Sequence, residues 1–171
     1  MSIEIRRAEA VEASELTAIA FAAKRHWGYP EAWIDLWSDE LCVDGRYVEE
    51  NWVFVATDGI RTLGWCAVLE KHEQCWLDYC WVLPEASGHG IGRALIDQAF
   101  RLAAELNSPT LKVVADSNAE GFYCKLGFRR ISDHPSVPIG RRLPVLEADV
   151  ASEPLDPRIG LQAYGGQRNE C

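Results

Sequence analysis

A chain of 171 residues with 48% hydrophobic and 25% charged side chains reads as one globular domain, able to bury about 70% of its unfolded surface without cross-links. Its formal net charge of −9 argues against non-specific nucleic-acid binding, which needs basic patches to displace counterions from phosphates, and weakly favours cationic acceptors. No run of about 20 apolar residues offers a membrane span.

The opening Met1-Ser2-Ile3-Glu4-Ile5-Arg6 alternates like a strand over residues 3–8 and lacks the apolar run of a signal peptide, so a cytoplasmic protein is expected. Leu16, Ile19, Ala20, Ala23 and Trp27 recur on one face and predict a helix over 11–27, with Gly28 placed to end it. Pro30 suits a first helical position, and Trp33, Ile34, Trp37 and Leu41 give a short second helix. Strands over 52–57 and 62–69 flank Asp58-Gly59, a turn-forming dipeptide. Residues 75–83, Cys-Trp-Leu-Asp-Tyr-Cys-Trp-Val-Leu, predict a central strand buried on both faces and closed by Pro84.

Ile91, Leu95, Ala99, Leu102 and Leu106 draw the stripe of a long helix. A strand over 110–115 follows. Ser117-Asn118-Ala119-Glu120 has the form of a capping box opening a short helix that ends before Gly127. Residues 128–132 and 143–147 read as the last strands. Together these elements make an α/β (α+β) domain over 1–150, a mixed central sheet with helices on its faces. The remainder, 151–171, shifts to Pro, Gly and acidic residues without periodicity and is expected to be irregular or disordered. The six cysteines, at 42, 66, 75, 80, 124 and 171, lack metal-ligand spacing. No metal site and no disulfide framework is therefore predicted, and most read as buried thiols in a reducing compartment.

Ser87-Gly88-His89-Gly90-Ile91-Gly92-Arg93 joins the apolar strand to the long helix. Free amides and the positive dipole end of a helix make an anion site there, and glycines admit phosphate oxygens close to the backbone. The dinucleotide fingerprint fails because Arg93 stands where the third glycine belongs, and the Walker loop fails because Gly92 is followed by Arg93-Ala94. A glycine-rich turn without a ligand is the alternative.

Val82-Leu83-Pro84 followed by Ser87 to Leu95 resembles the coenzyme A motif of the GNAT N-acetyltransferases. Asn118-Ala119-Glu-Gly-Phe122-Tyr123-Cys-Lys125-Leu-Gly127-Phe128 resembles the second half of the same signature. The resemblance spans nearly residues 3–148 and implies a GNAT-like, mostly antiparallel sheet, with acetyl-CoA as co-substrate and no metal. Ser87 departs from the Arg or Gln usual at its position. By this resemblance Trp81, Val82 and Leu83 pair with the pantetheine arm, while Ser87, Gly88, His89, Gly90, Ile91, Gly92 and Arg93 form the pyrophosphate loop. Asn118 caps its helix or touches the arm.

Amine acetylation needs a proton donor for the leaving thiolate and a base for the amine. Tyr123 matches the family's donor, the alternative being a packed aromatic. Asp78, the one carboxylate in the central strand, is the candidate base or else a structural anchor, with Tyr79, Glu73 and His72 behind it. His26 and Tyr29 fall where this fold places the acceptor, and the seven tryptophans suit an acceptor pocket or a homodimer face. The sequence thus points to an N-acetyltransferase acting on a primary amine of a small molecule or protein, with a catalytically silent coenzyme A-binding module as the alternative. Neither nucleic acid nor membrane is an expected partner.

Overall fold

The computed structural model describes residues 3–151; all of the predicted irregular tail but Ala151 lies outside them. Seven strands form one sheet: β1 (Glu4–Arg7), β2 (Trp52–Thr57), β3 (Thr62–Lys71), β4 (Gln74–Val82), β5 (Thr110–Val114), β6 (Arg129–Ser136) and β7 (Arg141–Asp149). Their order is β1-β2-β3-β4-β5-β7-β6. Every pairing is antiparallel except β4 with β5, which is parallel. That one parallel contact follows from the crossover helix α5 (Ile91–Glu105) between those two strands.

Each face of the sheet carries its own core. On one side α5 sets Ile91, Leu95, Ala99 and Leu102 against Cys66, Val68, Leu77 and Leu111. Its stripe falls at the helical period, so burial rather than propensity holds it. On the other side α1 (Ala13–His26), α2 (Glu31–Leu36), α3 (Ser38–Leu41) and α4 (Gly45–Glu50) pack Leu16, Ile19, Ile34, Trp37, Leu41 and Val48 on Val53, Val55 and Trp65. Trp65 is fully buried, and its indole N–H donates to the Leu16 carbonyl at 2.8 Å. The strand β4 serves both cores.

A bulge decides how it does so. β4 pairs Leu77 with Val68 but Tyr79 with Ala67, leaving Asp78 as the extra residue. An inserted residue reverses the alternation of side chains beyond it. Cys75 and Leu77 face the α5 core before the bulge and Cys80 and Val82 after it, while Tyr79 and Trp81 turn to the α1 core. Pairing of β4 with β5 also stops there, covering only Cys75, Trp76 and Leu77, although β4 stays on β3 as far as Val82. The two strands therefore part like a V.

Several boundaries differ from the sequence expectation. β4 is not buried on both faces: Asp78 is exposed and Tyr79 to Val82 are half-buried, because β5 has left their side. A 3-10 turn over Ala10–Glu12 precedes α1, and Pro30 precedes α2 in an extended conformation instead of opening it. Ser117 is not a cap; α6 (Glu120–Lys125) starts after Ala119 without a side-chain cap. The last two strands form a hairpin longer than their apolar residues indicate, the predicted second helix is split into α2 and α3, and α4 was too short and polar to be read.

The close approach of β3 and β4 at the mouth of the V rests on Gly64. A Cβ there would lie 2.7 Å from the Trp81 carbonyl oxygen and 3.2 Å from the Val82 Cα. Gly64→Ala should therefore lower unfolding stability by about 1–3 kcal/mol. Gly121→Ala, with open space around its position in α6, should be neutral or stabilising by up to about 1 kcal/mol. Equal effects in urea denaturation would refute this packing argument.

Candidate active site

The glycine loop lies exposed at the start of α5. Gly88 and Gly90 both have φ +81, a backbone state L side chains rarely adopt. The ladder entering α5 begins with the Ala94 amide donating to the Gly90 carbonyl at 3.0 Å. The amides of Ile91 and Gly92 thus precede it at a helix N-terminus, where anions are favoured. Ile91 is 2% exposed and offers the loop only its backbone. His89 folds back, Nδ1 lying 3.3 and 3.0 Å from the Ala86 and Ser87 carbonyls. The Ser87 amide is spent on the Pro84 carbonyl at 3.2 Å. Gly92 also has a packing role, since a Cβ would meet the Phe122 ring at 3.1 Å. The exposed Arg93 side chain sits 3.9 Å from Asp97.

The unpaired edge of β4 adjoins this loop. The Leu83 amide donates to the Leu63 carbonyl of β3 at 2.8 Å. In an antiparallel ladder such residues alternate, and the register Gly64↔Val82 to Ala67↔Tyr79 is regular. Trp81 and Leu83 therefore spend their backbone on β3, while Cys80 and Val82 turn theirs into the V. Of the three strand residues predicted to pair with the cofactor, Val82 alone offers a free-facing amide, and Cys80 joins it.

Tyr123 of α6 is 5% exposed, packed edge-on against Phe122 and Phe128, and interacts with the Cys80 thiol. Burial, and then the Cys80 and Cys66 thiols, push its phenol well above the usual range, so it stays protonated. Burial likewise raises the Cys80 thiol to about 12, against a lowering contact from Tyr123. Asp78 lies at the crotch of the V, and the Tyr47 hydroxyl of α4 donates to its Oδ2 at 2.6 Å. Burial followed by the Asp78 charge pushes that phenol up. Tyr79 donates to the Glu40 carbonyl at 2.6 Å. His72 and Glu73 occupy the hairpin turn at the opposite end of β4, with φ 52 and 60, and are not brought to the site.

On the α1 side of the V, Asp116 gathers a cluster. Lys24 Nζ lies 2.5 Å and Arg141 Nη2 2.9 Å from its Oδ2, while the Tyr29 hydroxyl donates to Oδ1 at 2.8 Å. The Asn118 amide also donates to Oδ1 at 3.0 Å, and Asn118 Nδ2 reaches the Tyr29 hydroxyl at 2.8 Å. Asn118 is thus an organiser of this cluster and not a helix cap. His26 is exposed at the end of α1. Burial works against the Asp116 carboxylate, but hydrogen bonds from Lys24, the Asn118 amide and Tyr29 hold it below the usual range. Burial draws the Lys24 ammonium down, with Asp116 pushing it up.

Sequence reasoning found Tyr29 and Asn118 but missed Lys24, Asp116 and Arg141. One signal was readable: Lys24 interrupts the apolar stripe of α1 between Ala23 and Trp27. Among the described residues no group of three or more His, Cys, Asp or Glu is placed to hold a metal ion, and no helix is long and apolar enough to cross a membrane.

Replacing Asp116 by Asn would leave two buried cations without their carboxylate. Asp116→Asn should lower stability at pH 7 by about 3–5 kcal/mol. Because the Asp116 pKa is depressed, its contribution is complete above the ordinary carboxylate range and disappears as pH falls through the folded value. The variant should accordingly show a shallower acid limb than the wild type. Urea titrations from pH 7 to 3 measure both, and parallel curves would refute the assignment.

Residues 49–130 match the acetyltransferase (GNAT) domain, a span holding β2 to β5, the glycine loop, α5 and Tyr123. No curated protein sequence matches the chain. Among solved structures the fold is similar to PaiA N-acetyltransferase from Thermoplasma acidophilum in complex with coenzyme A, at 17% identity and TM-score 0.72, covering 87% of this chain and 99% of that one. It is also similar to a GCN5-related N-acetyltransferase from Rhodopseudomonas palustris, at 21% identity and TM-score 0.74, covering 87% and 96%. A third is yncA from Salmonella typhimurium with its cofactor acetyl-CoA, at 17% identity and TM-score 0.64, covering 91% and 98%. Residues 49–130 thus match a GNAT acetyltransferase domain, and the seven-stranded fold is similar to that of GNAT structures.

Proposed function

We propose that the protein is an acetyl-CoA-dependent N-acetyltransferase acting on a primary amine of a small molecule or protein by direct attack on the thioester. The observation that carries this reading is the free edge of β4 beyond Leu77, lying beside a helix start whose two left-handed glycines leave room for phosphate oxygens.

Acetyl-CoA supplies the activated acyl group. Gly88, Gly90 and the amides opening α5 bind its pyrophosphate, and the β4 edge takes the pantetheine arm as an added strand would be taken. Of the two β4 amides that face the V, Cys80 and Val82, one takes the thioester oxygen, where negative charge develops, and the other pairs with the pantetheine arm. A C–N bond forms and the C–S bond breaks, so the amine gives up one proton and the sulfur gains one. Asp78 accepts the first, directly or through water, with its carboxylate held by Tyr47. Tyr123 keeps its own proton at Oη and delivers a hydrogen bond or the proton itself to the leaving sulfur.

Thiol release from acetyl-CoA across amines, amino acids and amino-terminal peptides tests the reading. Tyr123→Phe should lower kcat about 100-fold while acetyl-CoA still stabilises the fold, by about 2.7 kcal/mol at 100 times its Kd. Gly90→Asp should abolish that stabilisation. Stabilisation without turnover on any amine would assign a coenzyme A-binding module instead, and wild-type kcat in Tyr123→Phe would move the proton donor elsewhere.

A further inference from the structure

The cluster around Asp116 holds more cationic donors than its acceptors can use. The side chains of Lys24, Arg141 and Asp116 are only 9%, 12% and 6% exposed, so two cations face one carboxylate away from water. A further carboxylate within range of Lys24, that of Glu40, is exposed and screened. Asp116 already accepts from Lys24, Arg141, Tyr29 and twice from Asn118, which uses the lone pairs a carboxylate offers.

Donors are nevertheless left over among the described residues. Lys24 has three N–H groups and one hydrogen bond, to Asp116. Arg141 uses Nη1 on Ser136 and Nη2 on Tyr29 and Asp116, leaving Nε. The Trp81 indole nitrogen is buried without a partner. Aromatic rings partly compensate Lys24, whose Nζ lies 4.4 Å from the Trp37 centroid and 5.8 Å from that of Trp81. Those faces are occupied by the protein's own ammonium and are closed to a second one.

The position of the cluster gives the surplus a use. Trp81 belongs to the part of β4 that β5 has left, and Asp116 stands just past the end of β5, so the cluster borders the V from the α1 side. Cys80 and Val82 open onto the α5 side. An acceptor whose nitrogen reaches the thioester between them sets the rest of its body towards Arg141 and Lys24.

We infer that the acceptor is an amine carrying its own carboxylate, which docks on Arg141 and Lys24 with the Trp81 indole N–H as a further donor. This rests on the acetyl-transfer reading. The carboxylate supplies the countercharge the cluster lacks, and the two fixed cations favour the neutral, nucleophilic form of the incoming amine. A diamine, with a second ammonium in place of the carboxylate, meets like charge.

Glycine, 4-aminobutyrate and 6-aminohexanoate, each paired with its amide, and putrescine test this by initial rates of thiol release. At least one carboxylate member should exceed its amide in kcat/KM by about 10- to 100-fold through KM, with putrescine poorest. In Arg141→Gln that preference should collapse, with partial recovery in Arg141→Lys, while the coenzyme A-induced melting shift shows the variants folded. Amides or putrescine matching the carboxylates, or a preference unchanged in Arg141→Gln, would overturn the inference. A second measurement is independent of turnover: in the presence of coenzyme A, the N-acetyl derivative of at least one of these amino acids should raise the wild-type melting temperature but not that of Arg141→Gln. No shift from any of them would also overturn it. Product binding without turnover would sink the transfer reading alone, and turnover without preference would sink this one alone.

Discussion

One inserted residue organises the molecule. Asp78 has no partner in the β3 register, and the ladder between β4 and β5 ends at the residue before it. An edge strand exposes unpaired amides and carbonyls that favour another strand or an extended ligand. Here that edge is internal, flanked by α5 on one face and α1 on the other, so it admits a slender ligand without offering a surface for aggregation. The same insertion reverses the side-chain alternation, sending Cys80 to the Tyr123 side and Trp81 to the Lys24 side.

The two faces of the V then divide the chemistry. On the α5 side the environment is apolar and neutral: Tyr123 and Cys80 both have pKa values raised chiefly by burial, so they present protons and no charge. On the α1 side the environment is ionic and aromatic, with three charged groups that are each costly to bury alone and tolerable because they are paired and enclosed by rings. Such a division suits a reaction in which a thiolate must be protonated on one side while an amine must remain neutral on the other.

The sheet, the long helix and the glycine loop were legible because each is written locally. The stripe of α5 has a clear period, and Gly88 and Gly90 occupy positions with φ +81 that only such residues fill easily. The bulge was not legible. In Cys75 to Leu83 nearly every residue is apolar or aromatic, so a change of phase leaves no trace in the pattern, and Asp78 read as buried when the structure exposes it. Asp116 and Arg141 were missed for another reason: their partner Lys24 lies 92 residues from Asp116, and no local rule links them. Tyr47, which holds Asp78, sits on a six-residue helix too short to announce itself.

In the proposed transfer the β4 edge facing the V receives the pantetheine arm through the Cys80 and Val82 amides, while Trp81 and Leu83 are committed to β3. Amide hydrogen exchange resolved by residue, with and without coenzyme A, measures this directly. Cys80 and Val82 should gain protection on binding, by about 10-fold or more for a newly made hydrogen bond of ordinary strength, with Trp81 and Leu83 protected in both states. Protection appearing in the glycine loop but not at Cys80 and Val82, or appearing at Trp81 and Leu83 instead, would contradict it.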